Sequence, residues 1–265
     1  MPTTMEPGAL KAWEQALSSW DAWLLTFVLV TVVPALGYLR SRRLSRDGQA
    51  VSRHTKLILY ARIICVQWSL VGVLLLVLTR HGLSAGDVGE RMGNAWLTRW
   101  TTAAVLTVAA GLSPLVLWRV RRARPERLAH SFGRLRHIAP AFGTELTVFM
   151  FVCLTAGVCE ELLYRGWLIN VFGVAAGSVW LGVAFSTAAF GIGHAYQGVK
   201  GMLRAAFVGL QLALLFVLVR SLIPGQALHA AADLIAGFAS ATAVSRLNAA
   251  EAAGMSADEP ARKPA

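Results

Sequence analysis

Residues 147–177 read "TVFMFVCLTAGVCEELLYRGWLINVFGVAAG", in which the segment "CEELLYRG" (residues 159–166) lies between two apolar stretches. The flanking stretches are apolar enough for a lipid bilayer, but the central segment carries two adjacent carboxylates and an arginine. An ionisable side chain near the bilayer centre costs about 2.5–3.5 kcal/mol on insertion scales, so it needs a partner or a purpose. The sequence therefore predicts a membrane helix that contains a polar site.

The composition of the whole chain is that of a membrane protein. Of its 265 residues, 56% are hydrophobic and 15% are charged, whereas soluble domains have about 45–50% and about 25%. A bilayer core of about 30 Å needs about 20 apolar residues per helix. Segments of this kind lie at 20–39, 57–79, 101–118, 144–170, 178–197, 202–222 and 226–245. We expect an all-α, polytopic transmembrane helical bundle of about seven spans, or eight if 144–170 is divided.

The chain divides into three parts on this pattern. Residues 1–140 contain N-terminal membrane spans and basic loops, and residues 141–245 form a helical core that carries the polar segment. Residues 246–265 are small, polar and proline-bearing, a composition that is typical of a disordered tail.

The net charge of +11 is concentrated in two loops between apolar segments, which together hold thirteen of the 25 Lys and Arg residues. These thirteen are Arg40, Arg42, Arg43, Arg46, Arg53 and Lys56 in the first loop, and Arg119, Arg121, Arg122, Arg124, Arg127, Arg134 and Arg136 in the second. Loops rich in Lys and Arg stay on the cytoplasmic side of a membrane. We therefore expect both loops to be cytoplasmic, with the lipid bilayer, and no nucleic acid, as the partner of the protein.

Most polar residues in the predicted spans need no special explanation. Arg62, Arg204 and Arg220 lie near helix ends, from which their side chains can extend to the interface. Glu145 is a first-turn residue, and an acid there favours the helix N-terminus. Gln67 and Gln211 are uncharged and are predicted only to bond a neighbouring helix. The residues that remain are Glu160 with Glu161 and Arg165, then His194, His229 and Asp233.

The two glutamates have different environments on a helix. Glu161 and Arg165 are four residues apart with the acid first, so this pair can neutralise itself. Glu160 points about 100° away and has no such partner. A free carboxylate in a dry site is suited to act as a general base near neutral pH.

The histidines follow in two later segments. With a turn within residues 173–177, Glu160 and His194 are each 17 residues from Gly177, so in an antiparallel hairpin they lie at the same depth. His229 and Asp233 are four residues apart on one helix face. Simple counting places His229 near the external end of its span and away from His194, unless the backbone around residues 224–225 re-enters the membrane or a predicted helix end is wrong.

These residues resemble three motifs of one family of intramembrane proteases, the CAAX protease and bacteriocin-processing family, formerly called abortive-infection proteins. The three motifs are Glu160-Glu161-x-x-x-Arg165, Phe190-x-x-x-His194 and His229-x-x-x-Asp233. The resemblance covers about residues 140–245 and implies an endopeptidase in a membrane, most simply the bacterial inner membrane, that cleaves a membrane-associated protein or peptide.

The resemblance also implies the roles of the residues. Glu160 and His194 would activate the attacking water, and His229 and Asp233 would stabilise the oxyanion. Glu161 and Arg165 would support the site, as would Phe190. The third motif often ends in Asn, and Asp233 departs from this pattern because an ionised carboxylate cannot donate a hydrogen bond.

Alternatives remain for the metal and for the function. Metal-free catalysis without a cofactor is favoured because there is no His-Glu-x-x-His motif, but Glu160, His194, His229 and Asp233 could also ligate zinc. A proton-coupled transporter would use buried carboxylates and histidines as a relay, although paired half-repeats are lacking. A non-catalytic scaffold or immunity protein would be expected to lose a motif residue.

Overall fold

The computed structural model describes residues 7–46, 51–90, 93–132, 136 and 138–254, and this part of the chain is helical, without a strand. The α-helices are α1 (Pro7–Leu17), α2 (Trp20–Phe27), α3 (Val33–Arg46), α4 (Arg53–Arg80), α5 (Ala95–Arg122), α6 (Pro125–Phe132), α7 (Thr144–Glu160), α8 (Ile169–Ala175), α9 (Val179–Gly193), α10 (Val199–Val219) and α11 (Ile223–Ala252). Segments Val28–Val32 and Glu161–Leu168 are π-helical, and Ala85–Val88 and Ala195–Gln197 are 3₁₀-helical. The predicted all-α class is confirmed.

Six helical segments within these described ranges are long and apolar enough to cross a membrane: Trp20–Arg43, Arg53–Arg80, Ala95–Arg122, Thr144–Ala175, Val199–Val219 and Ile223–Ala252. The predicted span at 144–170 is not divided. The predicted span at 178–197 is replaced by α9, whose 15 residues measure about 22 Å at 1.5 Å per residue. The polytopic bundle is thus confirmed, with six long helices and one shorter apolar helix in place of seven or eight spans.

The helix that carries "CEELLYRG" lies at the centre of the bundle. It runs without a break from α7 through the π-helical segment into α8, and all eight residues of the π-helical segment are buried. Helix α7 packs against α4 and α11, and α8 packs against α9. Because π-helical turns inside α-helices occur often at functional sites, the geometry of this segment marks the position of the predicted site.

Two glycines determine how the neighbouring helices reach this centre. Gly177 has a φ of +64°, a conformation that favours glycine, and it makes the predicted turn between α8 and α9. At Gly157 an added Cβ would lie 2.8 Å from the backbone nitrogen of Ala230 and 2.9 Å from the carbonyl oxygen of Gln226. The missing side chain therefore allows α11 to lie directly against α7, one turn before Glu160.

A buried ion pair joins the N-terminal ends of α4 and α7. Lys56 Nζ lies 3.2 Å from Glu145 Oε2, and both side chains are buried. The same carboxylate accepts a hydrogen bond from the backbone nitrogen of Ala141 at 2.9 Å. Glu145 is therefore the first-turn residue that its position in the sequence indicated, and it is also part of a link between helices.

Helix α11 extends further than expected. It ends at Ala252, whereas the helical core was predicted to end at residue 245, so residues 246–252 of the predicted tail are helical. Arg136 binds this extension through Glu251 Oε1 at 2.6 Å and Asn248 Oδ1 at 2.8 Å, and the Glu251 carboxylate raises the pKa of Arg136. Residues 255–265, the remainder of the predicted tail, lie outside the described residues.

Candidate active site

The residues of the three motifs converge from three parts of the chain on one buried cluster. Glu160 and Glu161 come from the central helix, Phe190 and His194 from the end of α9, and His229 from the second turn of α11. Five contacts, described below, join these side chains to one another and to Arg165. Convergence of distant motifs at one place is what a shared site requires.

Glu161 bonds to two cationic or basic partners. Its Oε1 accepts a hydrogen bond from Arg165 Nη1 at 2.8 Å and another from His229 Nδ1 at 2.8 Å. Glu161 and Arg165 are almost completely buried. The local pair predicted from the sequence is therefore present, and it also holds the ring of His229.

Glu160 has a different partner, from the N-terminal half of the chain. Its Oε1 accepts a hydrogen bond from Gln67 Nε2 at 2.7 Å. Its Oε2 lies 3.9 Å from His229 Nε2, too far for a hydrogen bond. One oxygen of Glu160 is thus occupied, while the other faces His229 across a gap.

Phe190 lies between the two histidines. Its ring centroid is 4.6 Å from that of His194 and 5.8 Å from that of His229. The guanidinium carbon of Arg165 lies 4.2 Å from the centre of the same ring, within the range of a cation–π contact. Arg165 therefore fixes Phe190, and Phe190 sets the separation of the histidines.

His194 caps the end of α9. Its Nδ1 donates a hydrogen bond to the carbonyl oxygen of Phe190 at 2.8 Å, because a carbonyl oxygen can only accept. In neutral imidazole the other nitrogen, Nε2, then carries a lone pair. The described part of the chain has no hydrogen bond or ion pair between His194 and Glu160, so the two side chains share the site without touching.

His229 and Asp233 both lie in the cluster, in contrast to the depth counted for His229 from the sequence. Helix α11 begins at Ile223, three residues before the predicted span, so His229 is about 9 Å inside the helix. Of the two explanations left open, a misplaced helix end is the one observed. His229 Nε2 lies 3.6 Å from Asp233 Oδ2, whose side chain is 42% exposed.

The metal alternative does not fit this arrangement. Among the residues that the structure describes, no group of three or more His, Cys, Asp or Glu side chains is placed to hold a metal ion. A catalytic zinc site needs about three protein ligands with water in the fourth position, so we derive no catalytic step through a metal.

The sequence pattern did not identify one residue of the cluster, Gln67, as part of the site. Gln67 lies at the middle of the predicted span 57–79, where an amide side chain is costly unless it is hydrogen-bonded. Its position in the middle of a predicted membrane span was the sequence feature that could have identified it. The partner could not be identified, because Glu160 is 93 residues away in the sequence.

The comparison with protein families agrees with the motifs. Residues 142–235 match the family model described as type II CAAX prenyl endopeptidase Rce1-like, a range that contains all three motifs and lies within the predicted core 141–245. Neither a curated protein nor a solved structure matches the chain. The family match confirms the resemblance over these residues, and the six apolar helices support an integral membrane protein.

Proposed function

We propose that this protein is an intramembrane endopeptidase in which Glu160 and His194 activate water to hydrolyse a peptide bond of a membrane-associated substrate. The observation that carries this proposal is the position of His229 Nε2, which lies 3.9 Å from Glu160 Oε2. This distance places Glu160, a proton acceptor of the first motif, next to His229, a hydrogen-bond donor of the third motif. A substrate carbonyl beside this pair would meet, through a water molecule, a base near its carbon atom and a donor near its oxygen atom.

In the first step, Glu160 Oε2 takes a proton from a water molecule, and the lone pair of His194 Nε2 accepts a hydrogen bond that orients this water. The water oxygen attacks the carbonyl carbon, and the electron pair of the C=O double bond moves to the carbonyl oxygen. A positioned general base of this kind typically contributes about 10²- to 10⁴-fold to the rate.

In the second step, the oxyanion is stabilised by His229. In its doubly protonated form, His229 donates Nδ1–H to Glu161 and Nε2–H to the oxyanion. A single oxyanion donor is worth about 10²- to 10³-fold in kcat. The C–N bond then breaks, and the leaving amine takes the proton from Glu160, which restores the carboxylate.

Asp233 has a different role in this scheme. An ionised carboxylate only accepts hydrogen bonds, and Asp233 Oδ2 lies 3.6 Å from His229 Nε2. Asp233 therefore orients the imidazole that donates to the oxyanion. The exposed side of Asp233 also gives the cluster its most open edge.

The substrate class follows from the surroundings of the cluster. Glu160 is 18% exposed and His229 is 7% exposed, so the site excludes bulk water and suits a segment delivered from the membrane. From the charge pattern we infer that the basic loops lie on the cytoplasmic side of a bacterial inner membrane.

The test is hydrolysis in proteoliposomes with two fluorogenic probes, a prenylated CAAX peptide and an unprenylated transmembrane peptide. The wild-type protein is expected to cleave one of them, and Glu160→Gln is expected to lose at least about 100-fold in kcat. Near-full turnover by Glu160→Gln would sink the mechanism. Cleavage of neither peptide, or uptake of protons or solutes without cleavage, would favour a carrier or a scaffold.

A further inference from the structure

One described residue of the N-terminal half of the chain, Gln67, contacts the proposed base directly. Gln67 lies on α4, outside the range that matches the protease family. Its Nε2 is 2.7 Å from Glu160 Oε1, a short distance for a neutral donor. A hydrogen bond to a charged acceptor is about twice as strong as one between neutral groups.

The two ends of the Gln67 amide differ in their surroundings. While Nε2 is bonded to Glu160, the amide oxygen Oε1 is buried and has no hydrogen-bond partner among the described residues. A buried oxygen without a hydrogen-bond partner is destabilising. Only the bond to Glu160 offsets this cost, so the contact with the carboxylate is what holds the side chain in place.

We propose that Gln67 is a positioning residue that fixes the Glu160 carboxylate and assigns the basic role to its oxygen Oε2. This inference rests on the proposed function. With Oε1 held by Gln67, rotation of the carboxylate is blocked, and Oε2 is the oxygen left facing His229 Nε2 at 3.9 Å. Glu160, which lies within the range that matches the family, would thus depend on an amide group from α4, a helix outside that range.

The experiment compares Gln67→Met with Gln211→Met in proteoliposomes, using whichever of the two fluorogenic peptides the wild-type protein cleaves. Gln211 is the matched control, because it is an exposed glutamine on α10 without a role in the cluster. Gln67→Met is expected to lower kcat about 10- to 100-fold at unchanged KM, while Gln211→Met changes neither. If Gln67→Met does not fold, Gln67→Leu also removes the amide donor with an apolar side chain of similar size and is expected to show the same loss.

A double-mutant cycle separates positioning from a merely structural effect. Glu160→Asp shortens the carboxylate so that it no longer reaches Gln67, and adding Gln67→Met should then cost less than threefold. Full additivity of the two losses would overturn the inference, as would wild-type kcat in Gln67→Met. If Glu160→Gln is itself active, the proposed function fails instead, so the two failures can be told apart.

Discussion

The carboxylate of Glu161 and the imidazole of His229 lie 68 residues apart in the sequence and are joined by a 2.8 Å hydrogen bond. The oxygen that accepts this bond also accepts the bond from Arg165. Glu161 therefore neutralises a buried cation and, at the same time, orients a histidine of another helix. Its structural and functional contributions can be separated by mutation.

We expect Glu161→Gln to destabilise the protein by about 3–5 kcal/mol, because Arg165 would remain buried without a counter-charge. The double variant Glu161→Met with Arg165→Met should recover most of this loss, since removal of both charges is often neutral. Neither variant should recover turnover, because His229 has lost the carboxylate that accepts its Nδ1–H bond. Thermal unfolding in detergent and peptide hydrolysis would be measured together, and full activity of the double variant would contradict the role given to Glu161.

Asp233→Asn should retain most of the activity, whereas Asp233→Ala should lower kcat by about 10²-fold. The amide has nearly the same size as the carboxylate and adds an N–H donor that can reach the oxyanion. The oxygen that the amide retains can still orient the imidazole of His229. Steady-state kinetics of both variants is the measurement, and equal inactivation of the two would show that the charge itself is required.

Gly157→Ala should destabilise the bundle, because the new Cβ would meet backbone atoms of α11 at 2.8–2.9 Å. A backbone cannot move aside as a flexible side chain can, so overpacking should cost about 1–3 kcal/mol. Gly72→Ala is the matched control, since a Cβ at Gly72 meets nothing within 4 Å. Melting temperatures of the two purified variants would be compared, and equal temperatures would refute the close packing of α7 and α11.

Activity should survive treatment with a strong chelator, because no three candidate ligands among the described residues are placed to share a metal ion. The measurement is hydrolysis by proteoliposomes after incubation with 1,10-phenanthroline, together with the metal content of the purified protein. Loss of activity that added zinc restores would show that a metal takes part and that the cluster rearranges to bind it.

Local features of the site were accessible from the sequence. The pair of Glu161 and Arg165 is set by the spacing of one helix turn, and the turn at Gly177 by the need for a residue that tolerates positive φ. Both depend on neighbours within a few residues. For the same reason, the location of the "CEELLYRG" segment within a predicted membrane helix followed from its apolar flanks.

Features that depend on tertiary packing were not accessible. The depth of His229 depends on where α11 begins, and Ile223 starts it three residues before the apolar window. The bond between Gln67 and Glu160 depends on the rotation of α4 relative to α7, which hydropathy does not encode. The π-helical geometry of Glu161–Leu168 likewise has no pattern in the sequence that distinguishes it from an α-helix.

The short length of α9 has a consequence for the supply of the second reactant, water. If the turn at Gly177 lies at the membrane surface, a helix of about 22 Å ends inside a hydrocarbon core of about 30 Å. Residues 194–198, which are half-buried, then form irregular backbone at membrane depth, which is stable only when it is covered by protein or faces a water-filled cavity. A hydrated space beside the end of α9 would meet this requirement and would bring water to His194.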